Sequence, residues 1–227
     1  MALKRVSIPS PNYSSRGGAT VTTIVLHTAE GATTYQSLGS FFANPASGVS
    51  SHVGIDDTPN TVGEYVRRDG KAWTAANANP WSVQAELCGF AAWTSQDWAQ
   101  HEVMLQNTAA WIAEEAAHFN IPLVWLTEAQ AQNPDTRGVC QHADLAEMGG
   151  GHWDCGPGFP MQQVLDMAAG HTTGDDDLPL NDEDKTWITD AINTALRQQF
   201  APDGECFGRV VQADQKAIQQ TPANIPK

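Results

Sequence analysis

The sequence predicts an α/β domain built on a single central mixed β-sheet flanked by helices, followed by a short helical C-terminal segment. Short β-branched and apolar runs, typical of buried strands, are interspersed with longer segments whose apolar residues recur at helical spacing. Residues 20–27, Thr-Val-Thr-Thr-Ile-Val-Leu-His, are the clearest strand. With 41% hydrophobic and 17% charged residues, the 227-residue chain can fill one core of ordinary size.

Shorter sequence patterns of the same kinds predict the positions of the other helices and strands. Asn44-Pro45 ends the first helix and Ile121-Pro122 ends the longest one, because proline disfavours helical backbone in the residue before it. The strand at 64–68 is expected to be short and to lie at a sheet edge. Residues 127–160, rich in Gly, Asp and Pro, are expected to be mostly loop. The predicted helices cover 35–43, 95–119 and 161–169, and the later strands cover 50–56, 64–68 and 82–88.

The composition changes beyond the first domain, which is expected to span 1–171. Residues 172–180 form a short, polar and acidic stretch that is typical of a linker. Asn181 is a good helix N-cap, and apolar residues then recur on one helical face over 181–200. A helical segment is therefore predicted over 181–227, and its apolar face predicts packing or self-association.

Charge and hydrophobicity limit the kinds of partner that the chain is expected to bind, and the cysteine spacing bears on whether it has disulfides. A formal charge of −14 argues against a nucleic-acid partner, since a phosphate backbone selects clustered Lys and Arg. No apolar run approaches the roughly 20 residues that a membrane helix needs, so no membrane partner is expected. The four cysteines are scattered without a repeating spacing, which predicts free thiols rather than a disulfide framework.

Three segments carry residue types that suit one metal site. They are Ile24-Val-Leu-His27 at a strand end, a segment ending in Gln141-His142, and His152-Trp-Asp154 with its following residues. Two imidazoles and one carboxylate leave a fourth position on tetrahedral zinc open for water, which hydrolysis requires. Because seven histidines allow many combinations, composition alone does not single these residues out.

Glu86 is a candidate on different grounds. It lies inside an apolar strand, where a buried carboxylate is costly without a partner. A functional role is therefore favoured for Glu86 from the residues alone. His27, by contrast, taken in isolation at a strand end, is more typical of a core histidine than of a functional residue.

Five ordered segments resemble the type-2 N-acetylmuramoyl-L-alanine amidases, a family that includes bacteriophage endolysins and is related to peptidoglycan recognition proteins. The resemblance covers about residues 20–168. Its segments are Ile-Val-Leu-His27, Ser51-His52-Val-Gly-Ile, Ser82-Val-Gln-Ala-Glu86-Leu, His142, and Asp154-Cys-Gly-Pro-Gly-Phe-Pro. It implies an amidase/peptidoglycan-recognition-protein-like fold and a Zn²⁺ cofactor.

The resemblance implies a ligand set residue by residue. His27 and His142 match the two histidine ligands, and Asp154 matches the third because it lies five residues before Phe159. Cys155 is the alternative third ligand, since thiolate also binds zinc well. Adjacent residues of an extended chain point in opposite directions, so one of the two is expected to bind.

The resemblance also implies the catalytic groups. Glu86 matches the acid that moves protons beside the zinc water, and His152 stands where many relatives carry a Lys that would stabilise an oxyanion. Other departures are Gln84 at a position where relatives usually have Gly, and Cys155 in place of Pro. The substrate-binding candidates are His52, Trp73, Asn79 and Trp153.

The expected activity is hydrolysis of the amide between N-acetylmuramic acid and L-alanine in bacterial peptidoglycan, in a phage endolysin. The alternatives are a non-catalytic peptidoglycan-binding protein of the same fold and a cytosolic amidase acting on cell-wall fragments. The first residues lack an apolar core long enough for a secretory signal, which predicts a cytoplasmic enzyme or a lysin held in the host cytoplasm until release. Wall binding is a further expected role for 181–227.

Overall fold

The computed structural model describes residues 3–170, which form a mixed six-stranded sheet flanked by helices. The predicted fold class is confirmed. The predicted linker at 172–180 and the helical segment at 181–227 lie outside the described residues. Over 3–170, none of the helices combines the length and the hydrophobicity that a bilayer span requires.

The elements of the described range are short, apart from one long helix. The strands are β1 Lys4–Ser7, β2 Tyr13–Ser15, β3 Thr23–Thr28, β4 Val53–Ile55, β5 Thr61–Glu64, β6 Gly70–Ala72, β7 Ser82–Leu87 and β8 Gly138–Gln141. The α-helices are α1 Tyr35–Phe42, α2 Ser95–Trp98, α3 Glu102–Phe119, α4 Glu128–Ala131 and α5 Met161–Ala168. Three 3₁₀ segments cover Pro45–Ser47, Ala76–Trp81 and His142–Gly149.

The main sheet has the strand order β1-β5-β4-β7-β3-β8. Neighbouring strands run parallel except β4 and β5, which are antiparallel, so the sheet is mixed. Strands β2 and β6 form a separate antiparallel pair. Because β3, β7 and β8 are parallel, their carboxyl ends meet at one edge, where functional side chains of α/β proteins gather.

Strand β3 lies at the centre of the apolar core. All six of its residues are buried, as a strand covered on both faces requires. Helix α3 packs against the sheet with Trp111 and Ile112, which are fully buried, and helix α5 packs against α3. This packing fixes β3 and the side chains at its end.

The strand predicted at 64–68 is displaced and is not at an edge. Strand β5 covers Thr61–Glu64 and lies between β1 and β4. The sequence analysis missed β1 because its side chains alternate between exposed and half-buried positions and give no apolar run. With β1 at the edge, β5 becomes an interior strand.

The helix predicted over 95–119 is divided into α2 and α3. A capping box between Thr94 and Asp97 begins α2, which ends after a single turn. Asp57 then begins α3, because its carboxylate accepts a hydrogen bond from the backbone N–H of Met104 at 3.1 Å and contacts His101 Nδ1 at 2.6 Å. An acid from a distant loop thus supplies the cap that interrupts the predicted helix.

The prediction that 127–160 is mostly loop misses β8. This strand is only four residues long, and its first three residues are buried. It pairs in parallel with β3, bringing Gln141 beside Leu26. The pairing places His142, the next residue, at the same carboxyl-terminal end of the parallel strands as His27.

Candidate metal centre

Three elements bring His27, His142 and Asp154 together, and we call these residues the triad. His27 lies near the end of β3, His142 directly follows β8, and Asp154 lies in the loop before α5. His27 Nδ1 and His142 Nδ1 are 2.9 Å apart. The Asp154 carboxylate lies 3.2 Å from His142 Nδ1 and 3.5 Å from His27 Nδ1. All three side chains are buried, and one ligand atom of each lies within 4.8 Å of the others.

A hydrogen bond at the Nε2 atom of each imidazole determines whether its Nδ1 atom carries a proton or a lone pair. His27 Nε2 lies 3.0 Å from Gln84 Oε1, and His142 Nε2 lies 2.8 Å from the carbonyl oxygen of Gly149. Both partners are acceptors, so each Nε2 carries the proton and each Nδ1 of a neutral ring carries a lone pair. Two lone pairs and a carboxylate therefore converge with no donor among them, an arrangement that a cation satisfies.

The surroundings of His27 and Asp154 favour the same set of charges. Burial and the neighbouring His142 lower the pKa of His27 to about 4, so its ring is neutral at pH 7. The Asp154 carboxylate accepts a hydrogen bond from the backbone N–H of Thr28 at 3.3 Å, which favours its ionised form. Neutral imidazoles and an ionised carboxylate are the forms that bind zinc.

Cys155, the alternative third ligand, lies in the apolar core rather than with the triad. Its side chain is fully buried among core residues, and its backbone N–H donates to Gln141 Oε1 at 3.2 Å. Burial raises the pKa of its thiol well above the ordinary value, which disfavours the thiolate. The geometry therefore supports Asp154 as the third ligand.

Two glycines hold the loop that carries Asp154. A Cβ at Gly156 would lie 1.9 Å from the carbonyl oxygen of Ala91, and one at Gly158 would lie 2.1 Å from that of Trp93. Gly156 also has a φ of +86°, which side-chain-bearing residues rarely adopt. The loop of Asp154 thus packs backbone to backbone against the loop that follows β7.

Glu86 lies beside His27 and lines a groove. The two residues are register partners in the β3–β7 pair, and the groove has a volume of about 450 Å³. Glu86 Oε2 is shielded from solvent and has no hydrogen-bond partner within the described residues. Burial, with the charges of Asp154 and Glu30, raises the pKa of Glu86 to about 8. Such a group can hold or release a proton near neutral pH.

His152 lies at the open side of the triad. Its side chain is 62% exposed, and its Nδ1 lies 3.9 Å from the Asp154 carboxylate. Its ring stacks on that of His142, with centroids 4.5 Å apart and planes 13° apart. A donor at this position is within reach of a substrate that enters the site.

The two tryptophans predicted to bind substrate occupy different positions. Trp73 lines the same groove as Glu86, together with the apolar side chains of Phe41 and Val49. Its indole N–H donates to Ser14 Oγ at 3.2 Å, which leaves the ring 37% exposed. Trp153 is 58% exposed and lies outside the lining of the groove. Both assignments stay predictions.

Two predicted substrate ligands are engaged inside the protein. His52 is buried: its Nδ1 accepts from the backbone N–H of Gln84 at 3.0 Å, and its Nε2 donates to the carbonyl oxygen of Gly70 at 3.2 Å. Burial and the charge of Arg16 lower the pKa of His52 to about 3. Neither nitrogen is free, which disfavours contact with a substrate, and the assignment of His52 stays a prediction.

Asn79 is engaged in the same way. Its Oδ1 accepts from the backbone N–H groups of Thr74 and Ala75, at 3.1 and 2.7 Å, and from Gln84 Nε2 at 2.9 Å. This oxygen is therefore not available to a substrate, and the assignment of Asn79 as a substrate ligand stays a prediction. Gln84 is a departure from the family pattern, and its contact with His27 was not predicted. Its position two residues before Glu86, on the same strand face, was the available signal.

The parallel strands end at two histidines, a nearby loop adds an aspartate, and a carboxyl group lines the adjacent groove. Together these side chains form the donor set of a metal-dependent hydrolase. The particular family follows from comparison. The family model described as N-acetylmuramoyl-L-alanine amidase matches residues 17–158, and the chain belongs to that family. This confirms the resemblance drawn from the five sequence segments.

Individual relatives agree with the family. N-acetylmuramoyl-L-alanine amidase A of Achromobacter lyticus is 35% identical over 83 residues, which are 37% of this chain and 45% of that protein. The chain thus matches less than half of the length of this curated relative. Among solved structures, the Staphylococcus aureus hydrolase AmiA superimposes with a TM-score of 0.57 at 18% identity, covering 76% of this chain and 88% of that one.

A second structure gives the same result. The endolysin N-acetylmuramoyl-L-alanine amidase LysCS of Clostridium intestinale superimposes with a TM-score of 0.53 at 13% identity, covering 76% of this chain and 99% of that one. At these identities the two structural neighbours show the fold alone. The candidate site therefore depends on the geometry of this chain.

Proposed function

We propose that the protein is a zinc-dependent amidase that hydrolyses the bond between N-acetylmuramic acid and L-alanine in bacterial peptidoglycan. The observation that carries the proposal is the convergence of His27 Nδ1, His142 Nδ1 and the Asp154 carboxylate, with no donor among them, beside Glu86. Membership of the amidase family supports the choice of bond.

His27, His142 and Asp154 would hold zinc, and three protein ligands would allow a water molecule to bind as well. The ion would supply two effects there: it lowers the pKa of a water molecule and polarises the substrate carbonyl. Zinc fits the donor set, since two imidazoles and one carboxylate are common ligands of catalytic zinc.

Glu86 would move the proton. Glu86 lines the groove, and its Oε2 has no partner within the described residues, so the carboxylate can accept a proton from the attacking water and return it to the departing L-alanine amine. Burial raises the pKa of Glu86 to about 8. A nearby cation lowers the pKa of a carboxyl group, which would bring the pKa of Glu86 closer to neutral pH. A carboxyl group titrating near the working pH serves well as both base and acid.

His152 would bind the negative charge that develops on the carbonyl oxygen. It is exposed at the mouth of the site and is oriented by stacking on His142. Trp73 and Trp153 would contact glycan or peptide at the rim.

The proposal is tested by zinc content together with product analysis on purified peptidoglycan. One zinc per chain and new L-alanine amino termini, without new reducing sugar, would support it. Zinc without cleavage would favour a peptidoglycan-binding protein, and protein that binds no zinc would refute the metal site.

We extend the proposal to the setting of a phage endolysin, which acts on the intact wall. The alternative, a cytosolic amidase that acts on cell-wall fragments, uses the same chemistry on soluble substrates. Comparing turnover of intact sacculi with turnover of soluble muropeptides separates the two. A strong preference for muropeptides would overturn the endolysin assignment.

A further inference from the structure

Gln84 is a buried polar residue that the proposed chemistry does not use. It lies in β7 two residues before Glu86 and is fully buried. Its side-chain amide links Asn79 to His27: Nε2 donates to Asn79 Oδ1 at 2.9 Å, and Oε1 lies 3.0 Å from His27 Nε2. A buried amide with both ends engaged is held in one orientation.

That orientation follows from the backbone. Asn79 Oδ1 accepts from the backbone N–H groups of Thr74 and Ala75, and backbone N–H groups only donate. The Asn79 atom they contact must therefore be the oxygen. The Gln84 group that meets this oxygen must then be its NH₂, which turns the Gln84 carbonyl towards His27.

The orientation of the Gln84 amide determines which nitrogen of His27 can bind a metal. Since the Gln84 carbonyl only accepts, the proton of neutral His27 must be on Nε2. His27 Nδ1 then carries the lone pair that faces Asp154 and His142. If the Gln84 amide were reversed, its NH₂ would favour the opposite tautomer and place a proton where a metal would bind.

The backbone of Gln84 is fixed as well. Its N–H donates to His52 Nδ1, and its carbonyl oxygen accepts from Ser51 Oγ at 3.1 Å. His52 is held in turn by its bond to the Gly70 carbonyl. The buried His52 thus supports the strand position from which Gln84 reaches His27.

We propose that Gln84 is a positioning residue that selects the metal-binding tautomer of His27, and that the backbone N–H groups of Thr74 and Ala75 set it through Asn79. The inference rests on the metal site of the proposed function. His142 provides an internal comparison, because its tautomer is set by the Gly149 carbonyl, which no side-chain substitution removes. Of the two histidines, only His27 therefore has a tautomer that depends on a side chain, which a substitution can remove.

The first test needs no variant. Two-dimensional ¹⁵N NMR of the metal-free full chain at pH 7 reports which nitrogen of His27 carries the proton. We expect Nε2–H for both His27 and His142. A proton on His27 Nδ1 would overturn the inference, whether or not the protein cleaves peptidoglycan.

The second test is zinc affinity, measured by competition with a chelator. Gln84→Met keeps the length of the side chain and removes both hydrogen bonds, so we expect zinc to bind about 10–100-fold more weakly and His27 to show mixed tautomers. Asn79→Asp retains the acceptor for all three donors and is expected to keep the Nε2–H tautomer. Gln106→Met, on the exposed face of α3, is the matched control and should bind zinc as the wild type does.

The outcomes separate this inference from the proposed function. A folded Gln84→Met protein with wild-type zinc affinity and a wild-type tautomer would refute the role of Gln84. If that variant does not fold, the tautomers of the wild type and of Asn79→Asp decide. A wild type that has the expected tautomers and binds zinc but leaves peptidoglycan intact would contradict the amidase and leave the inference standing.

Discussion

Two regions of the molecule bury ionisable side chains, and they differ in how charge is balanced. In the first, which we call the arginine cluster, Arg5 pairs with Glu64, Glu114 and Glu115 at 3.3, 2.8 and 3.0 Å, and Arg68 pairs with Glu115 at 2.9 Å. Each carboxylate in this cluster meets a guanidinium directly, although Glu115 Oε2 itself has no partner within the described residues. This cluster joins β1, β5 and α3.

In the second region, the triad and Glu86, the groups turned towards the centre are acceptors. Two imidazole lone pairs and the Asp154 carboxylate converge, and Glu86 Oε2 has no partner within the described residues. Burying acceptors without donors is unfavourable unless a ligand completes them. The comparison teaches that converging acceptors with no cation among the described residues indicate a binding site, whereas acceptors paired with guanidinium groups indicate structure.

The largest expected effect is the loss of a triad residue. Asp154→Ala should abolish zinc binding and reduce amidase activity at least about 1,000-fold, because several kcal/mol of transition-state stabilisation are lost. Zinc content and amine release measure the two effects. Retention of one zinc per chain with full activity would contradict the triad.

A somewhat smaller effect is expected for Glu86, since it moves a proton and holds no metal. Glu86→Gln should lower kcat about 100- to 10,000-fold while zinc remains bound. Parallel measurements of kcat and zinc stoichiometry test this separation. Full turnover by this variant would remove Glu86 from the mechanism.

The arginine cluster should show the reverse behaviour. Glu115→Ala removes the partner shared by Arg5 and Arg68 and should lower the free energy of unfolding by about 3 kcal/mol. Zinc affinity should stay within about twofold of wild type. Denaturant unfolding and chelator competition measure these quantities, and a large loss of zinc affinity would break the comparison between the regions.

A smaller effect is expected from pH in metal-free protein. The folded pKa of Glu86 is raised to about 8 from an ordinary 4.5, so the folded state holds the proton longer and its stability falls as pH rises through this range. His27 and His52, whose folded pKa values are lowered to about 4 and 3, oppose this trend at the lower end of the range, because the unfolded chain still binds part of a proton at each near an ordinary pKa of about 6.5. Between pH 6.5 and 8 the unfolding free energy should therefore drop by on the order of 1 kcal/mol.

Glu86→Gln is the matched control for that measurement. It should remove the fall in stability, because no ionisable group then changes at that position and only the opposing contribution of His27 and His52 is left. Urea unfolding with a chelator present, at pH 6.5 and 8 for both proteins, tests the assignment. Equal slopes in the two proteins would show that the Glu86 carboxyl is not responsible.

The smallest effect on the site is expected for Cys155. Cys155→Ala should leave zinc affinity within about twofold of wild type and lower stability by about 1 kcal/mol, as is usual for trimming a small core side chain. Chelator competition measures the affinity. A tenfold loss of zinc affinity would restore Cys155 as a ligand.

The sequence predicted the ligands better than it predicted the elements that carry them. His27 and Glu86 lie on long buried strands whose apolar pattern is unambiguous, and His142 and Asp154 lie in segments with a family pattern. Strands β1 and β8 have only four residues each, too few to give a period. Their pairing depends on partners distant in sequence, so it became visible only in the fold.

The contacts around the ligands were the least predictable part. His52 and Asn79 matched positions beside the site, but a pattern does not report which atoms other groups already occupy. Their nitrogen and oxygen atoms are taken up by backbone groups and by Gln84. The role of Gln84 depends on the orientation of one amide, which is a property of three-dimensional packing.

The close approach at Gly156 and Gly158 has a consequence for mutational tolerance. Any side chain there would meet the backbone of the loop after β7 and displace the loop of Asp154. In a saturation-mutagenesis screen for lytic activity, both positions should therefore be as intolerant as the ligands, although neither glycine contributes a side chain to the site. Libraries aimed at altered substrate range would be better directed to the rim positions Phe41, Val49 and Trp153, whose side chains are exposed.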